Sequence, residues 1–459
     1  MKLERVRAVL GSPQAAGAAP VEIRDLAYDT RAVTPGSLFF CVPGTRADGH
    51  DLAPRAIAAG AVALVVERPL GLGLPEVVVP SVRQAMPAVA TEFFGDPSAE
   101  FPVAAITGTN GKTTTAFLLR SILDAAGLRP ALLTNIERRV AGRALPSGTA
   151  VARLNTPEAI DLQRLFREMV DGGDGSCVME ATSIAAAQGR LAGTRFAVLV
   201  FTNLTQDHLD FHGTMETYYA AKRALFDQAE RAVVNVGDPW GKRLAGELPG
   251  AVTFTPDDDL GGSELRLRGA FNRANALGAI GAARALGVGD EAIRAGIERV
   301  EGVPGRFEAV DEGQPFAVIV DYAHTPDSLA NVLRTARSLG DGRVTVVFGA
   351  GGDRDREKRP LMGGIAAGLA DRTIVTTDNP RSETPAAIAA EVAAGAPAGE
   401  VIVDRATAIE AALAEAGPGD VVVIAGKGAD TEMELDGRSV PFDDRVVARE
   451  ALRRLRGAG

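Results

Sequence analysis

The sequence predicts an α/β protein of three domains: a small mixed α/β N-terminal domain, a central parallel-sheet domain and a C-terminal Rossmann-like doubly wound domain. Short apolar runs alternate with helical patterns along most of the chain, as in strand-helix-strand units. One strand-like run leads directly into a glycine-rich turn and a helix. The 459 residues also divide into about three domains of roughly 150 residues. We predict domain bounds of 1–98, 99–303 and 304–459.

The composition excludes several classes of protein. Acidic residues outnumber basic residues by 59 to 49, and the net charge of −10 disfavours nucleic acid or an anionic membrane as the main partner. No apolar run approaches the roughly 20 residues that cross a bilayer, and the first residues, MKLERVRAVLGSPQ, lack the apolar stretch of a signal peptide. Cys41 and Cys177 suggest neither a metal site nor a secreted disulfide framework. We therefore expect a cytoplasmic protein without membrane insertion.

The N-terminal domain is predicted from a few short elements. Apolar runs at 37–42, 63–66 and 77–79 indicate strands, and the pattern at 52–59 indicates a helix. Glycine and proline separate these elements, and a turn-rich stretch at 95–98 ends the domain.

Both following domains alternate strands with helices, so each is predicted to hold a mostly parallel sheet. The central domain has predicted strands at 103–107, 176–179, 197–201 and 232–236, and predicted helices at 113–126, 157–170, 215–228 and 274–286. The C-terminal domain has five predicted buried strands at 317–320, 344–348, 373–377, 401–403 and 421–425. Ligands bind beyond the carboxyl ends of such strands, so the residues after each strand are candidates for function.

The loop after the first central strand has the features of a phosphate-binding loop. Residues 107–114 read TGTNGKTT, a shorter form of the Walker pattern, between a predicted strand and a predicted helix. Backbone N–H groups of such a loop face a polyphosphate. Lys112 would neutralise the β- and γ-phosphates, and the Thr113 hydroxyl would reach Mg²⁺. The central domain is therefore P-loop ATPase-like. The alternative is a plain glycine turn with an exposed lysine.

Two loops at strand ends carry candidate metal ligands. Glu180 follows a predicted strand directly, where a carboxylate can hold Mg²⁺ beside a nucleotide. His208 follows the strand that ends at Phe201, in a loop that also contains Asn203 and Asp207. The structural alternatives are a buried ion-pair partner for the glutamate and a loop-capping imidazole for the histidine.

Lys222 lies in a helix whose apolar positions would turn its side chain toward the sheet. The alternative is an exposed helix lysine.

Several long motifs together resemble the ADP-forming Mur ligases of peptidoglycan synthesis. They cover nearly the whole chain: TGTNGKTTT, Glu180, FTNLTQDHLDFHGTMETYYAAKRALF, FNRAN, VPGRFE and DYAHTPDSL. Three more resemble the branch that adds the third residue to UDP-N-acetylmuramoyl-L-Ala-D-Glu: DTRAVTPGSLFFCVPGTRADGHD, GGDRDREKRPLM and DNPRSETP. The resemblance implies a cytoplasmic ligase that uses ATP and Mg²⁺ and takes a UDP-muramoyl dipeptide and a diamino acid as small-molecule substrates. We expect a monomer.

The resemblance also implies roles for individual residues. The catalytic residues would be Lys112, Glu180, His208 and Lys222. Thr113 and Glu180 would hold one Mg²⁺, and a second would be held by Glu180, His208 and Lys222 carrying a CO₂-derived carbamate. ATP would be bound by Gly108, Thr109, Asn110, Gly111, Lys112, Thr113, Thr114, Asn272, Arg306, Asp321 and His324. The UDP group would be bound by Thr30 and Arg31. The muramoyl dipeptide would be bound by Asn155, Thr156, Thr182, Gln188 and Arg190. The incoming amino acid would be bound by Arg354, Asp378, Asn379, Arg381, Gly426 and Asp430.

Arg381 is the position that bears on the choice of amino acid. A guanidinium holds a carboxylate with two parallel hydrogen bonds, and meso-diaminopimelate has one carboxylate more than lysine. The segment DNPRSE also carries the family's signature for diaminopimelate. We therefore hypothesise a meso-diaminopimelate ligase. L-lysine or another diamino acid is the alternative, with Arg381 then a helix-capping or surface arginine.

Two departures from the family pattern concern substrate contacts. Ile184 stands where the family usually has a histidine near the muramoyl substrate. Ala429 and Asp430 stand where it usually has histidine and glutamate. Asp430 is one methylene shorter than the glutamate that binds the ammonium of the amino acid, so either the amino acid binds deeper or the preference differs.

The implied chemistry requires no protein nucleophile, which agrees with the lack of a Ser-His or Cys-His pair. The D-Glu γ-carboxylate attacks ATP to give an acyl-phosphate, and an amine then displaces phosphate. Two other readings stay open. One is a related ligase such as a folylpolyglutamate synthetase or another Mur ligase. The other is a regulatory nucleotide-binding protein that has lost acyl transfer.

Overall fold

The computed structural model describes residues 1–12, 20–44, 47–146 and 154–457. Thr45 and Arg46 of the first-domain motif lie outside the described residues. Within the described ranges, no helix combines the length and apolar character that crossing a membrane would require.

The chain divides into two compact units. The first holds residues 1–107, 128–199 and 221–231, and the second holds 108–127, 200–220 and 232–459. The bounds of three domains stay a prediction.

In the first unit, the N-terminal residues form a parallel sheet in the order β1-β2-β3-β4. The bounds are β1 Asp25–Ala27, β2 Ser37–Phe40, β3 Ala61–Val66, β4 Glu76–Val78, α1 Leu3–Val9, α2 Ala53–Ala58 and α3 Val82–Phe94. Leu38 and Phe40 pack in one core with α3, whereas Phe39 packs in another with α2. Because both faces are covered, residues 38–40 of β2 and all of β3 are continuous apolar runs.

A second sheet in the first unit has parallel strands in the order β5-β9-β6, followed by the antiparallel strands β7 and β8. The bounds are β5 Val103–Thr107, β6 Pro130–Leu133, β7 Arg138–Val140, β8 Arg143–Ala144, β9 Ser176–Glu180, α5 Ala159–Asp171 and α6 Ser183–Ala187. Glu180 is the last residue of β9, not the first residue after it as predicted, because it still pairs with Ile106 of β5. The unit boundary passes through β10, Val198–Phe201.

The second unit begins with the helix after the phosphate loop. The bounds here are α4 Lys112–Ala125, α7 Leu209–His212, α8 Met215–Arg223, α9 Pro239–Glu247, α10 Ala270–Ala285 and α11 Asp290–Glu298, with the parallel pair β11 Ala232–Asn235 and β12 Val252–Phe254. The helix predicted at 215–228 ends at Arg223 and continues as a 3₁₀ turn over Ala224–Gln228. α4 packs on α10 and α11. A Cβ at Gly296 would lie 2.4 Å from Ile122 Cα, so the approach of α11 to α4 requires glycine there.

The C-terminal part of the second unit is a six-stranded sheet in the order β13-β14-β18-β15-β16-β17, parallel except for β13. The strands are β13 Glu308–Ala309, β14 Ala317–Asp321, β15 Val344–Phe348, β16 Arg372–Val375, β17 Glu400–Val401 and β18 Val421–Ala425. The helices are α12 Pro326–Arg337, α13 Lys358–Leu369, α14 Pro385–Ala393, α15 Arg405–Ala414 and α16 Asp444–Gly457. One core contains α12, α13 and α14, and the other contains α15 and α16. The predicted doubly wound fold is confirmed.

Two details of this part of the chain differ from the prediction. The strand predicted as buried at 401–403 is a short edge strand, β17, that ends at Val401, and Val401 and Val403 are 48% and 38% exposed. Residues 401–403 are all apolar, which is also the sequence pattern of a buried central strand. The hairpin of β19 Glu432–Leu435 and β20 Arg438–Pro441 forms a separate two-stranded sheet. It is not predicted, because each strand has only four residues and two of them are polar.

An ion pair without solvent exposure joins α15 to α16. Arg405 donates to the two carboxylate oxygens of Asp444, each at 2.7 Å. The same guanidinium donates to the backbone oxygens of Thr377 and Ala425 at 2.9 Å, just beyond β16 and at the end of β18. The Arg405 side chain therefore links α15 and α16 to the carboxyl ends of β16 and β18.

We expect Arg405→Ala to lower the free energy of unfolding by about 3–5 kcal/mol, because it leaves the Asp444 carboxylate buried and unpaired. Arg454→Ala is the matched control, since it removes an exposed pair with Glu410 between the same two helices, expected to cost under about 1 kcal/mol. Urea unfolding of both variants tests this. Equal losses would contradict the assignment of the stability to the buried pair.

Candidate active site

The phosphate loop follows β5 and leads into α4. Gly111 caps the helix with a φ of +87°, and α4 begins at Lys112. The helix N-terminus suits an anion. The Lys112 ammonium donates to the backbone oxygens of Gly108 at 3.0 Å and Thr109 at 2.7 Å. The cation is thus held against the loop that would receive phosphate.

A second loop, residues 202–205, clamps the phosphate loop. Asn203 Oδ1 accepts from Asn110 N at 2.9 Å, and Asn203 Nδ2 donates to Asn110 O at 3.1 Å. Thr202 Oγ1 donates to the same oxygen at 2.6 Å. A Cβ at Gly108 would lie 1.9 Å from Thr202 Oγ1, so this contact requires glycine. The clamp fixes the backbone of the loop from outside.

The other end of the loop packs on α10. A Cβ at Gly111 would lie 2.1 Å from Asn275 Oδ1. Asn275 Nδ2 donates to Asn272 Oδ1 at 3.1 Å, and Asn272 Nδ2 donates to Arg268 O at 2.8 Å. Asn272, a predicted ATP contact, therefore orients the unpredicted Asn275 beside the loop.

Arg306 reaches the phosphate loop from the segment before β13. Its Nη2 donates to Thr113 Oγ1 at 3.1 Å. Its guanidinium lies 4.3 Å from the centroid of the Tyr322 ring, a cation–π contact. Two residues that the sequence assigns to ATP and Mg²⁺ are therefore in direct contact.

Asp321, at the end of β14, holds two backbone groups. Its oxygens accept from Phe307 N and Ala323 N, each at 2.7 Å. Phe307 has a φ of +47°, a conformation that disfavours a bulky residue unless the surroundings hold it. Burial raises the pKa of Asp321, and the Arg306 cation opposes that rise. The predicted ATP residue thus also stabilises the turn next to Arg306.

A buried carboxylate joins the loop after β10 to α13. Asp207 lies 3.2 Å from Lys358 Nζ, 3.4 Å from His208 Nε2 and 3.7 Å from His324 Nε2. Burial opposes ionisation, but the Lys358 ammonium and the two imidazoles outweigh it and hold the pKa of Asp207 well below its usual range. Two predicted site histidines therefore meet at one ionised carboxylate.

In the first unit, predicted substrate residues surround the end of β9. Thr156 Oγ1 donates to Glu180 O at 3.0 Å and lies 3.1 Å from Thr182 Oγ1. Arg190 Nη1 donates to Thr156 O at 3.2 Å, and its Nη2 donates to Gln188 Oε1. The structure brings these five predicted residues into one cluster.

The remaining residues predicted to bind the UDP-muramoyl dipeptide lie nearer the surface. Arg31 is exposed and pairs with Asp29, and Thr30 is half-buried beside it. Asn155 is exposed next to the Thr156 cluster.

The two arginines predicted to bind the amino acid lie on neighbouring loops after β15 and β16. A Cβ at Gly351 would lie 3.1 Å from Arg381 Nη1 and 3.7 Å from Arg354 Cγ, so both side chains lie against this glycine. Arg381 donates to Gly352 O at 2.6 Å and to Glu434 Oε2 at 2.8 Å. Arg381 therefore bridges loops and does not cap a helix.

Asp378 supplies a buried acceptor beside these loops. Its Oδ1 accepts from Asn379 N at 2.6 Å, and its Oδ2 has no hydrogen-bond partner within the described part of the chain. A Cβ at Gly426 would lie 2.2 Å from that Oδ2. Because a buried polar atom without a partner costs free energy, the oxygen suits a donor that arrives with a ligand.

Asp430 lies near the same acceptor. Burial raises its pKa, the Lys427 cation opposes the rise, and the Asp378 carboxylate adds to it. Lys427 is itself buried and donates to Asn379 Oδ1 at 3.2 Å and to Glu432 O at 2.6 Å. The predicted amino-acid residues Asp378, Asn379 and Asp430 therefore belong to one cluster around Lys427.

Glu180 and Lys222 are buried, with 2% and 1% of each residue exposed. Among the residues that the structure describes, no three His, Cys, Asp or Glu side chains gather as a metal site. Mg²⁺ is commonly held by one or two carboxylates together with waters and substrate phosphates. A buried carboxylate at Glu180 and the hydroxyl of Thr113 therefore have the donor chemistry that suits it.

Several positioning residues were not singled out from the sequence. They are Thr202, Thr205, Asn275, Lys358 and Lys427. Each lies within or beside a motif that the sequence analysis quoted. Each has at least one contact 48 or more positions away in the chain, so no local pattern indicates what it holds.

The chain matches three family models along its length. They are "Mur ligase family, catalytic domain" over residues 22–92, "Mur ligase middle domain" over 106–259 and "Mur ligase, glutamate ligase domain" over 305–428.

Curated relatives match over nearly the whole chain. The UDP-N-acetylmuramoyl-L-alanyl-D-glutamate–2,6-diaminopimelate ligase of Geobacillus thermodenitrificans is 44% identical, over 95% of this chain and 96% of the relative. The enzyme of the same name from Geobacter metallireducens is 40% identical over 100% of both.

Solved structures show the same fold. A structure of a UDP-N-acetylmuramoyl-L-alanyl-D-glutamate–2,6-diaminopimelate ligase has a TM-score of 0.64 at 30% identity and covers 98% of this chain and 99% of its own. The MurF ligase of Thermotoga maritima, solved with ADP, has a TM-score of 0.62 at 19% identity over 94% of this chain and 96% of its own. At that identity the second match supports the fold alone.

We expect Asn203→Ala to weaken ATP binding about tenfold, because the loss of two hydrogen bonds lets the phosphate loop backbone relax. Asn203→Asp is the matched variant, since it keeps an acceptor for Asn110 N and loses the donor to Asn110 O. Calorimetric titration with ATP should place its affinity between those of wild type and Asn203→Ala. Wild-type affinity in the alanine variant would contradict the clamp.

Proposed function

Because the chain belongs to the Mur ligase family, we propose that it is an ADP-forming ligase that adds meso-diaminopimelate to the γ-carboxylate of D-Glu in UDP-N-acetylmuramoyl-L-Ala-D-Glu. Relatives of 40–45% identity that cover nearly the whole chain carry the name of this enzyme. The structural observation that carries the proposal is the position of Arg354 and Arg381 against Gly351, in a doubly wound domain that also holds acidic side chains at its strand ends.

The D-Glu γ-carboxylate is a poor acyl donor and has to be activated before an amide can form. The γ-carboxylate of D-Glu attacks the γ-phosphorus of ATP, and ADP leaves. The amine of the incoming amino acid then attacks the acyl-phosphate, and phosphate leaves as the amide forms. In this reaction, the N-terminus of α4 and the Lys112 ammonium would bind and stabilise the transferred phosphoryl group. Binding energy spent on orientation supplies much of the rate, since no protein atom bonds to the substrate.

The cysteines agree with a reaction that uses no thiol nucleophile. Cys41 and Cys177 are both buried. Burial raises the pKa of Cys41 to about 12 and also raises the pKa of Cys177. Neither thiol would supply a thiolate at neutral pH.

We propose that Mg²⁺ is held by Thr113 and Glu180, and a second ion by Glu180, His208 and a carbamylated Lys222. Bound Mg²⁺ supplies positive charge that neutralises the triphosphate. An ammonium is costly to bury, and Lys222 is 1% exposed. Conversion to a carbamate by CO₂ would turn this side chain into an anionic oxygen ligand.

Four further residues would serve the nucleotide in two ways. The Arg306 guanidinium and the His324 imidazole would face ATP, next to Thr113 and Asp207 respectively. Asp321 and Asn272 would act by holding neighbouring groups, the turn at Phe307 and the Asn275 amide.

The UDP-muramoyl dipeptide would be bound by residues of the first unit. Thr30 and Arg31 would contact the UDP group from an exposed turn. The muramoyl dipeptide would be bound beside Glu180 by the side chains of Thr156, Thr182, Gln188 and Arg190 and by Asn155 next to them. Ile184, in α6 next to Thr182, offers no donor where the family usually has a histidine.

Arg381 would select the amino acid by charge. Its guanidinium now pairs with Glu434, whose side chain is 58% exposed. A carboxylate on the ligand could replace this exposed partner at little cost. A lysine ammonium in the same place would meet repulsion from the guanidinium. This difference favours meso-diaminopimelate over L-lysine. We also propose a cytoplasmic, monomeric enzyme with small-molecule partners.

The decisive experiment is ADP release with UDP-N-acetylmuramoyl-L-Ala-D-Glu and a panel of diamino acids. We expect wild type to use meso-diaminopimelate, and Arg381→Ala to raise the KM for it about 10- to 100-fold through loss of charge-assisted hydrogen bonds. Its ATP affinity should not change. Arg337→Ala, which removes a cation from a half-exposed pair with Asp371, is the control. Release with L-lysine alone would overturn the amino-acid assignment, and release without the dipeptide would overturn the ligase assignment.

The raised pKa of Asp430 predicts a pH dependence. This carboxyl binds an ammonium only when ionised, and its folded pKa lies above the ordinary value. The KM for the amino acid should therefore start to rise, as pH falls, at a higher pH than an unperturbed aspartate would allow. Asp430→Asn should bind the amino acid weakly at every pH, and its KM should no longer show this rise as pH falls. Identical pH profiles of KM in wild type and Asp430→Asn would show that the carboxyl does not bind the substrate.

A further inference from the structure

Arg359, in the first turn of α13, is a buried cation that the proposed reaction does not use. Its side chain is 0% exposed, which is rare for arginine. Its Nη1 and Nη2 bind the two carboxylate oxygens of Glu383 at 2.9 and 2.7 Å. Nη2 also donates to Gly351 O at 3.1 Å, and Nη1 donates to Glu391 on α14 at 2.8 Å. One guanidinium therefore spans the loop after β15, the loop after β16 and the helix that follows.

Glu383 carries this contact to the residues that face the amino acid. Its Oε1 accepts from Asp353 N at 2.7 Å. The Asp353 carboxylate in turn accepts from Ser382 Oγ at 2.6 Å and from Ser382 N at 3.2 Å. Asp353 directly precedes Arg354, and Ser382 directly follows Arg381. The network thus ends on the neighbours of both arginines.

The two loops need such support because their backbones are strained and tightly apposed. Asp353 and Arg381 both have a φ of +52°, which non-glycine residues hold only when their surroundings impose it. Gly352 N donates to Asn379 O at 2.9 Å, and a Cβ at Gly352 would lie 1.9 Å from Pro380 O. A small shift of either loop would therefore displace both arginines.

We propose that Arg359 is a positioning residue for the incoming amino acid, acting through Glu383 and Gly351 O to fix the register of the loops that carry Arg354 and Arg381. This inference rests on the proposed function. The Arg359 hydrogen bond lowers the pKa of Glu383 to about 2. The pair accordingly stays ionised over the whole range in which a ligase would be assayed.

The test compares the same change at the two carboxylates that bind Arg359. Glu383→Gln weakens the contact that reaches the loops, whereas Glu391→Gln alters a contact that reaches only α14 and the exposed Arg356. With each substrate varied in turn, we expect Glu383→Gln to raise the KM for meso-diaminopimelate about tenfold. The KM values for ATP and for the dipeptide, and kcat, should stay near wild type. Glu391→Gln should leave all of them near wild type.

Arg359→Lys is the second variant, because it keeps the charge and loses the bidentate contact with Glu383. It should raise the same KM and no other. A merely structural role would instead lower the active fraction, and so kcat, with every KM unchanged. Thermal unfolding of each variant verifies that it is folded.

Several results would overturn the proposal. They are an unchanged diaminopimelate KM in Glu383→Gln, an equal rise in Glu391→Gln, or an equal rise for all three substrates. If wild type used a different amino acid, the proposed function would fail in that respect, and the same comparison with that amino acid would still test Arg359.

Discussion

The site depends on how closely the loops at the carboxyl ends of parallel strands approach one another. Glycine follows β5, β15 and β18 directly, as Gly108, Gly349 and Gly426. A Cβ at these positions would lie 1.9 Å from Thr202 Oγ1, 2.2 Å from Thr376 O and 2.2 Å from Asp378 Oδ2. No other residue leaves room for the neighbouring loop. Within each sheet, parallel strands thus bring polar groups from distant parts of the chain together at their carboxyl ends, and glycine lets them come within hydrogen-bond distance.

Loops packed in this way still need something to fix their register, and buried charges in α13 do so. Lys358 pairs with Asp207 at 3.2 Å, and the next residue, Arg359, pairs with Glu383 at 2.7 Å. Lys358 thus contacts the loop that carries His208. Arg359 contacts the loops that carry the residues proposed to bind the amino acid. Desolvation offsets much of the attraction in such pairs. We infer that they contribute less to the free energy of folding than to fixing one arrangement of the loops.

Most strands and helices can be predicted from the sequence, but the side-chain contacts that hold the loops cannot. Strands such as β15 and β18 were predicted at their exact bounds, because a strand covered on both faces is a continuous apolar run. The same rule failed at β17, an edge strand where Val401 is exposed. The Asn203 clamp on Asn110 and the Lys358 pair with Asp207 join residues 93 and 151 positions apart. The sequence around Asn203 and Lys358 does not indicate such a partner, because only tertiary packing brings the residues together.

The shorter side chain at Asp430 can be understood from its surroundings. Asp378 places an oxygen without a described hydrogen-bond partner against Gly426, and this carboxylate is close enough to add to the rise in the pKa of Asp430. An ammonium bound beside Asp378 and Asp430 would meet two carboxylates, so the loss of one methylene from one of them need not abolish binding. These carboxylates would hold the amine by charge, and the two arginines would hold carboxylates. Because the acyl-phosphate supplies the reactivity, the protein contributes chiefly the placement of that amine, and this explains why so many buried hydrogen bonds serve loops that perform no chemistry themselves.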